Sequence, residues 1–426
     1  MARKLSKKKI SGWLLLFAVI LFIQCDGHKK LYSSASRLFS SLKTERVKKV
    51  EKKDIRIDER LTERLDSFVE HTRRAGTLGI CVWDETAHKT VYTYNPDSLM
   101  RPASNMKMLT CITALRRLGP KYKYESGAYY KGEMKGDTLV GDIAFKFTFD
   151  PWLNSEHLSR LAATINKKGI RYVKGKVIMD LAITEPMLHE EHWTIGDLRL
   201  RHLGLLYKGE DRMTKELKYA LHLQGVNFPD KDFTIQSLPK GMKQVGRIST
   251  PMHYSVFRAL QNSSNEHAES LGYPLSLPYA GKLGFREGAT EYLRHFIEVE
   301  LGYDPDEVCR IHDTSGLCVH DRLSPRFLIN LLRYAHSHKY IWDTLRHDLP
   351  VSGMTGTLHD RMWRPATRGK IHAKTGTLTR EDGITSLSGY TVSPNGHLLF
   401  FSIIQNEYPV YDARIWQDKF CTELVK

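Results

Sequence analysis

Three short motifs in this sequence hold residue types that can carry out acyl transfer. They are S-x-x-K at Ser104 and Lys107, S-x-N at Ser263 and Asn265, and K-T-G beginning at Lys374. On a helix, a spacing of three residues puts the Ser104 hydroxyl and the Lys107 amine on one face, one turn apart. A neutral amine at that position can take the hydroxyl proton and turn the serine into a nucleophile. The first motif therefore predicts a serine nucleophile with a lysine base.

The S-x-x-K pattern is not specific by itself. It also occurs at Ser6 and Ser40, ahead of the folded body, and at Ser237, where a proline two residues later is unfavourable inside a helix. Only Ser104 lies where a proline, Pro102, opens a predicted helix. Unpaired backbone N–H groups at that helix start face the same pocket as the hydroxyl. This context favours Ser104 as the reactive serine.

The K-T-G motif is interpreted as both an electrostatic and a binding element. Lysine is a base only when it is neutral, so the pKa of Lys107 has to fall, and burial beside a second cation such as Lys374 lowers it. Lys374 and Thr375 can also hold a carboxylate of the substrate. Gly376 has no side chain to obstruct a peptide laid along the predicted strand, which permits strand-like docking.

The middle motif is predicted to lie on a loop-to-helix corner, residues 262–269. There Ser263 can relay a proton and Asn265 can orient an amide of the substrate. Each motif also has a purely local interpretation, with Ser263 and Asn265 as helix caps. Lys107 can be solvated, and Lys374 can be a charge on an edge strand. The combination of the three motifs in order favours the catalytic interpretation.

The elements that position these motifs can be predicted from the spacing of apolar residues. Apolar residues at helical spacing predict an amphipathic helix over residues 57–74. Two β-favouring runs, residues 78–83 and 90–94, are separated by a short polar turn and predict a hairpin. The helix that Pro102 opens is predicted to end near Leu118, where Gly and Pro follow.

Three more strands and a helix are predicted at the C-terminal end. The strands cover residues 370–378, 387–392 and 397–404, and the helix covers residues 411–424. A hairpin at one end of the chain and three strands at the other indicate one antiparallel sheet built from both. The predicted fold class is therefore α/β (α+β), an antiparallel sheet flanked by helices, with a helical lobe and an insertion between the two ends.

The formal net charge of +16 does not indicate nucleic-acid binding. Residues 1–53 hold 14 Lys and Arg against 3 Asp and Glu, so +11 of the charge lies in this segment. This charge lies in an N-terminal segment and not on a helix or sheet of the body. It therefore indicates attraction to a membrane surface, or a role in setting the orientation of the chain in a membrane. With 41% apolar residues in a chain of 426, a large core can form, which excludes a disordered or fibrous protein.

The N-terminus has the pattern of an export segment. Basic residues precede an apolar stretch at residues 13–23, which is short for a membrane span of ~20 residues and lacks a small-residue cleavage site after it. Residues 1–25 are therefore interpreted as a signal peptide, a membrane anchor or a segment lipid-modified at Cys25. Residues 26–55 form a basic linker. The prediction is an exported protein, periplasmic or on the outer face of the cytoplasmic membrane.

No metal or cofactor is predicted, because the histidines are scattered without ligand spacing and no C-x-x-C pair occurs. The body holds an odd number of cysteines, namely Cys81, Cys111, Cys309, Cys318 and Cys421. Cys309 and Cys318 can pair, but free buried thiols are the alternative that the sequence favours.

Further stretches place the three motifs in a family context. Together and in order they resemble the D-alanyl-D-alanine carboxypeptidase/endopeptidase family, the low-molecular-weight class C penicillin-binding proteins. The resemblance spans about residues 77–407 and rests on RPAS at 101–104, NEHAE at 265–269, DTSGL at 313–317, GTL at 356–358, KTGTL at 374–378 and LSGY at 387–390.

The resemblance implies the serine β-lactamase/penicillin-binding transpeptidase-like fold and a serine peptidase that acts on D-Ala-D-Ala ends of peptidoglycan stem peptides. The penultimate D-Ala carbonyl would acylate Ser104, the backbone N–H groups of Ser104 and Thr377 would form the oxyanion hole, and water would deacylate the enzyme. β-Lactams would trap the acyl-enzyme. The implied catalytic residues are Ser104, Lys107, Ser263, Asn265 and Lys374, and the implied substrate-binding residues are Thr375, Gly376 and Thr377.

The resemblance also implies a domain arrangement. Residues 56–119 and 251–426 would form the catalytic domain, and residues 120–250 an insertion domain that is short for the family. Two departures from the family pattern are Ser264, where Asp or Asn is common, and residues 380–383, which lengthen the link after the third motif. The short insertion and this longer link leave open the peptide length and the crosslinks that the enzyme prefers. The sequence does not indicate the balance of carboxypeptidase against endopeptidase work.

Two other functions are compatible with these motifs. A serine β-lactamase is acylated in the same way but deacylates rapidly, and the chain has no obvious Glu-containing loop of the class A type. A non-catalytic protein that binds penicillin or cell wall would keep the fold without the reaction, and the intact motifs argue against it. The sequence does not indicate an oligomeric state.

Overall fold

The computed structural model describes residues 58–73, 76–184 and 204–426. The predicted export segment with Cys25 and the basic linker lie outside the described residues. Within the described part of the chain, no helix is both long enough and apolar enough to cross a membrane.

Helices and strands alternate irregularly along the described residues. The α-helices are α1 Glu59–Thr72, α2 Met106–Leu118, α3 Ser155–Lys167, α4 Glu210–Leu223, α5 His253–Gln261, α6 Asn265–Ser276, α7 Phe285–Leu301, α8 Pro305–Val308, α9 Pro325–Ser337, α10 Lys339–Asp348 and α11 Val410–Leu424. The strands are β1 Thr77–Asp84, β2 Lys89–Tyr94, β3 Lys123–Lys135, β4 Thr138–Phe147, β5 Tyr172–Lys174, β6 Val177–Leu181, β7 Phe233–Ile235, β8 Lys243–Pro251, β9 Cys309–Arg310, β10 Arg322–Leu323, β11 His372–Leu378, β12 Ile384–Val392 and β13 Leu398–Asn406.

Strands from both ends of the chain form one five-stranded sheet, in the order β11-β12-β13-β1-β2. All neighbouring pairs are antiparallel, which confirms the predicted hairpin and the predicted antiparallel sheet. The K-T-G motif lies on the edge strand β11, where Lys374 is opposite Ser388 and Gly376 is opposite Ser386 of β12. One side of the motif's backbone is therefore paired with β12, and the other side is at the sheet edge.

Helices cover both faces of this sheet. On one face α1 and α11 pack together over a core that contains Leu65, Ile403 and Phe420. The helix predicted over residues 57–74 is observed as α1, which the Asp58 carboxylate caps by accepting the Leu61 backbone N–H at 3.2 Å. On the other face α9 packs against β1 and β13, and its apolar residues join the main core with α2.

Between its two contributions to this sheet, the chain forms a second, mixed sheet. Its order is β7-β6-β4-β3-β8, with β5 also paired to β4. β3 is antiparallel to β4 and β8, whereas β4 is parallel to β5 and β6. α3 packs against β3 and β8, with Leu158, Leu161 and Ile165 buried. The insertion-domain boundaries at residues 120 and 250 stay a prediction.

α2 is the buried helix that carries Lys107. All its residues from Met106 to Leu115 are buried, and Gly119, with φ of 80°, follows its last residue. The predicted start at Pro102 needs one correction, because a 3-10 turn precedes the α-helix. The five cysteines of the described residues are buried, and no two of them form a disulfide with each other, which agrees with the alternative that the sequence favours.

Candidate active site

Ser104 lies in the short 3-10 turn that precedes α2. Two hydrogen bonds tie this turn to strand β12. Ser386 Oγ donates to the Pro102 carbonyl oxygen at 2.6 Å, and Asn105 Nδ2 donates to Ser388 Oγ at 2.7 Å. The five-stranded sheet therefore holds residues on both sides of Ser104, through a backbone carbonyl at Pro102 and a side chain at Asn105.

Lys107 lies in the first turn of α2 and is fully buried. Its Nζ is 2.8 Å from Ser104 Oγ, 2.7 Å from Asn265 Oδ1 and 2.7 Å from the Ser315 carbonyl oxygen. The amide and carbonyl oxygens are acceptors only, so they take both N–H groups of a neutral amine. Its lone pair then faces the Ser104 hydroxyl, which is the geometry that a general base needs.

Burial lowers the pKa of Lys107 from 10.5 to about 8, because the charged form loses its hydration. Asp313, Glu269 and Glu266 oppose this effect, since each negative charge favours the ammonium form. A pKa of about 8 leaves part of the amine neutral at physiological pH. The lysine can therefore act as a base without a large further change in its surroundings.

The middle motif forms the predicted loop-to-helix corner. Ser264 Oγ caps α6, which begins at Asn265, by accepting a first-turn backbone N–H at 3.3 Å. Asp, Asn and Ser are all strong helix caps, so the serine can replace the residues that are common at this position. Ser263 has φ of 58°, which is uncommon for a residue with a side chain. Across this bend, Ser263 contacts Lys374 while Asn265 contacts Lys107.

Lys374 approaches from β11 and is also fully buried. Its Nζ donates to Ser263 Oγ at 2.8 Å and to the Thr375 carbonyl oxygen at 2.7 Å. Burial and the charge of Lys107 hold the pKa of Lys374 well below its usual range. Repulsion between the two lysines thus lowers the pKa of Lys374, whereas burial is the main cause of the low pKa of Lys107.

The two threonines that flank Gly376 have different partners. Thr375 is buried, and its hydroxyl donates to Thr357 Oγ1 at 2.6 Å. The Thr377 hydroxyl accepts from Arg414 Nη2 at 2.9 Å. Residues two apart on a strand project to the same face, so both hydroxyls lie on one side of β11.

Gly376 packs against the turn that holds Ser104. A Cβ at Gly376 would lie 2.1 Å from Ser386 Oγ and 2.8 Å from the Pro102 carbonyl oxygen, so no larger residue fits without displacing the turn. The absent side chain makes room for the Ser104 turn, whereas the sequence-based interpretation assigned that room to a substrate peptide.

The structure brings the three motifs together in two hydrogen-bonded groups. In the first, Lys107 joins Ser104 and Asn265, and in the second, Lys374 joins Ser263. The electrostatic effect of one lysine on the other links the two groups. Among the residues that the structure describes, no group of three or more His, Cys, Asp or Glu side chains is arranged to hold a metal ion.

A family model described as the D-Ala-D-Ala carboxypeptidase 3 (S13) family matches residues 61–202 and 207–420. These ranges cover most of the chain and include all three motifs. The chain belongs to this family. Membership confirms the resemblance seen in the sequence and makes the protein an enzyme, a serine-type D-Ala-D-Ala carboxypeptidase.

Relatives and solved structures agree with this assignment. The D-alanyl-D-alanine carboxypeptidase of Actinomadura sp. (strain R39) is 31% identical over 453 residues, covering 81% of this chain and 81% of that protein. D-alanyl-D-alanine carboxypeptidase DacB of Haemophilus influenzae is 19% identical over 422 residues, covering 79% of this chain and 86% of that protein. The crystal structure of penicillin binding protein 4 (dacB) from Haemophilus influenzae matches with a TM-score of 0.72 at 17% identity, over 84% of this chain and 98% of that one. Its complex with a β-lactam matches with a TM-score of 0.69.

At this identity the structural match shows the fold. It confirms the predicted penicillin-binding transpeptidase-like fold for this S13 enzyme, in which the antiparallel sheet carries the K-T-G motif, the first turn of α2 carries Lys107, and the 3-10 turn before α2 carries Ser104.

Sequence-based reasoning assigned no role to three groups near the predicted catalytic residues. The Ser315 carbonyl oxygen accepts from Lys107, the Thr357 hydroxyl accepts from Thr375, and the Glu269 carboxylate accepts the Thr314 backbone N–H. The stretches DTSGL, GTL and NEHAE contain these residues, so the family resemblance was the one available signal for them. A backbone carbonyl has no residue-type signature at all.

The Ser315 carbonyl belongs to a buried turn that Asp313 organises. The Asp313 carboxylate accepts the backbone N–H groups of Ser315, Leu317 and Cys318, each at 2.9 Å. Charge-assisted hydrogen bonds of this kind are about twice as strong as neutral ones. These bonds hold the turn that presents the Ser315 carbonyl oxygen to Lys107.

Gly316 is the point at which this turn meets the Ser104 turn. It has φ of 77°, and a Cβ there would lie 1.9 Å from the Ala103 carbonyl oxygen. We expect Gly316→Ala to displace the Ser104 turn, to slow acylation by penicillin about tenfold or more, and to lower the free energy of unfolding by about 2 kcal/mol. Stopped-flow labelling with a fluorescent penicillin and urea unfolding measure the two effects.

Gly136 provides the control for this substitution. It also has a positive φ, 63°, but no atom lies within 4 Å of the position of a Cβ. Gly136→Ala should therefore cost about 1 kcal/mol of stability for the backbone conformation alone and leave acylation at the wild-type rate. Equal acylation rates in the two variants would show that contact with the Ser104 turn is unimportant.

Proposed function

We propose that this S13 enzyme cleaves the D-Ala-D-Ala ends of peptidoglycan stem peptides through an acyl-enzyme on Ser104. The observation that carries the proposal is the set of three contacts at Lys107 Nζ. Two oxygen acceptors can take both N–H groups of the neutral amine, which leaves its lone pair for the Ser104 hydroxyl, whose Oγ is 2.8 Å from Nζ. Burying a lysine costs stability, so its presence beside a serine hydroxyl favours a catalytic role.

In the proposed acylation step, Ser104 Oγ attacks the carbonyl carbon of the penultimate D-Ala while Lys107 takes the hydroxyl proton. The backbone N–H groups of Ser104 and Thr377 stabilise the oxyanion. The tetrahedral intermediate then collapses, so that an ester bond to Ser104 forms and the C–N bond to the terminal D-Ala breaks. The proton passes to the amine of the departing D-Ala.

The second hydrogen-bonded group serves the substrate and the leaving group. Ser263, 2.8 Å from Lys374 Nζ, relays the proton to the departing amine. Lys374 and Thr375 bind the terminal carboxylate, and Asn265 orients the substrate amide. The peptide lies along the edge of β11, since an edge strand offers unpaired backbone groups. Water then hydrolyses the ester, with Lys107 again as base.

The proposal extends to inhibitors and to location. A penicillin binding protein of the same fold has been solved with a β-lactam, which supports β-lactams as inhibitors that acylate Ser104.

Peptidoglycan lies outside the cytoplasm, so we also propose that residues 1–25 direct export. The insertion, residues 120–250, would then influence which peptide lengths and crosslinks the enzyme accepts.

The proposed activity can be tested on purified muropeptides. We would incubate the full-length protein with monomeric pentapeptides and with crosslinked dimers, and separate the products by liquid chromatography with mass spectrometry. Release of terminal D-Ala from monomers shows carboxypeptidase work, and conversion of dimers to monomers shows endopeptidase work. Prior treatment with penicillin should block both.

Two other outcomes would reject the proposal. Rapid hydrolysis of the penicillin, with no lasting adduct and no muropeptide product, would identify a serine β-lactamase. An intact penicillin, an unmodified protein and unchanged muropeptides would identify a non-catalytic binding protein.

A further inference from the structure

A turn behind Lys107 is held between two helices. From α2, Thr110 Oγ1 donates to the Thr314 carbonyl oxygen at 2.6 Å. From α6, the Glu269 carboxylate accepts the Thr314 backbone N–H at 3.2 Å. Both backbone groups of Thr314 are therefore fixed, and the next carbonyl along the chain, that of Ser315, is the one that accepts from Lys107.

Glu269 reaches this turn from the same helix face as Asn265. The two residues are four apart on α6, a spacing that places side chains on one face. Asn265 contacts Lys107 directly at 2.7 Å, and Glu269 is connected to it through the backbone of the turn. Only 5% of Glu269 is exposed. A buried carboxylate is costly, so its place beside the base suggests more than a structural role.

We propose that Glu269 is a positioning residue for the acylation step. Its carboxylate holds the Thr314 backbone N–H and so directs the Ser315 carbonyl oxygen toward Lys107. Its negative charge also stabilises the ammonium form of Lys107, which has to lose a proton before the amine can act as a base. This role rests on the proposed function, because it requires Lys107 to be the base for Ser104. Glu269 itself touches no reacting atom.

The groups around Glu269 have charges of both signs. Burial and the adjacent Asp313 raise the pKa of Glu269 to about 7, while hydrogen bonds from the turn and the charge of Arg286 lower it. The titratable groups that face Glu269 are Tyr273 on its own helix, Arg286 on α7, Asp313 on the turn and Lys107 on α2. The charge of Glu269 in turn raises the pKa of Lys107, so the protonation state of the carboxylate influences that of the amine.

The groups around Lys107 determine the sign of the expected effect. They are Cys111 on α2, Glu266 and Glu269 on α6, Asp313 on the turn and Lys374 on β11. The carboxylates favour the ammonium form of Lys107 against the larger effect of burial. Removing the charge of Glu269 while keeping its shape therefore lets Lys107 lose its proton at a lower pH.

The test uses the full-length protein and the second-order rate constant for acylation by a fluorescent penicillin, measured from about pH 5 to about pH 10. Glu269→Gln keeps an acceptor for the Thr314 N–H but loses the charge. We expect the midpoint of the acid limb to fall by about half a pH unit. Between about pH 7, above which Glu269 is ionised in the wild type, and the wild-type midpoint, acylation should become up to about threefold faster relative to the variant's own plateau. A variant that is only destabilised does not gain rate in this range.

Glu269→Asp tests the other half of the role. It keeps the charge but withdraws the carboxylate from Thr314 by one methylene. We expect the midpoint to stay near that of the wild type and the plateau to fall about tenfold. The matched control is Asp84→Asn, which removes a buried carboxylate that accepts the backbone N–H groups of Thr86 and Ala87 at another turn. It should change neither the midpoint nor the plateau.

An unchanged midpoint in Glu269→Gln, or a wild-type plateau in Glu269→Asp, overturns the positioning role. A melting curve shows whether Glu269→Gln folds. If it does not fold, the plateau rate of Glu269→Asp decides whether Glu269 has a positioning role. Failure of the wild-type protein to label at any pH is a separate result, which overturns the proposed acyl-enzyme and with it the role of Glu269.

Discussion

Replacing Ser104 with alanine is expected to remove covalent labelling by penicillin and to reduce D-Ala release by at least about a thousandfold. In the proposed mechanism the acyl group attaches to the Ser104 hydroxyl, whose Oγ is 2.8 Å from Lys107 Nζ. Without it, the remaining groups can polarise the substrate carbonyl but form no ester. Intact-mass spectrometry after incubation with penicillin measures the adduct, and chromatography of the peptide products measures D-Ala release.

Ser237→Ala is the matched control. Ser237 begins an S-x-x-K pattern that ends at Lys240, but it is exposed and lies outside any helix. This variant should label like the wild type. Ser104→Ala should also keep its free energy of unfolding within about 1 kcal/mol of the wild type, because it removes a single hydroxyl group from a half-buried residue. A persistent adduct on Ser104→Ala would place the nucleophile at another residue.

Replacing Lys107 with alanine is expected to slow acylation by about 10² to 10⁴-fold, the range for loss of a general base. In the wild type the rate should rise with pH through about 8, where the Lys107 amine becomes neutral. The variant should lack this rise, because no group remains to accept the Ser104 proton in that range. The pH dependence of labelling by a fluorescent penicillin measures both effects.

Lys419→Ala is the control for loss of a lysine, because Lys419 is exposed on α11. It should acylate at the wild-type rate across the pH range. A melting curve of Lys107→Ala separates the loss of the base from unfolding, since the Asn265 and Ser315 oxygens both lose a donor. Wild-type acylation in a folded Lys107→Ala protein would exclude Lys107 as the base.

The elements around the motifs could be predicted because their signals are local. Leu61, Leu65 and Val69 recur at helical spacing, and the helix predicted over residues 57–74 is observed as Glu59–Thr72. The three C-terminal strands begin and end within a few residues of the prediction. The spacing of apolar residues and the positions of turn residues were sufficient to predict these elements.

Other features depended on contacts with distant segments. The turn at Ser104 is 3-10 and not α-helical, and its hydrogen bonds to Ser386 and Ser388 come from a strand near the other end of the chain. The same packing explains the glycine at position 376, because a Cβ there would collide with Ser386 Oγ and the Pro102 carbonyl oxygen. The second sheet was predicted only as an insertion, because the order of its strands is set by pairing between segments and not by any local pattern.

The sequence by itself was enough to predict the candidate nucleophile, its candidate base and the residues that accompany them, because residue type and spacing along a helix or strand are local properties. Tertiary structure decided the contacts among these residues. Lys107 meets Asn265 across 158 residues and the Ser315 carbonyl across 208, and Lys374 meets Ser263 across 111. Such contacts, and the burial that lowers the pKa of Lys107, arise only when distant segments pack together, since water surrounds an isolated lysine and leaves its pKa unchanged.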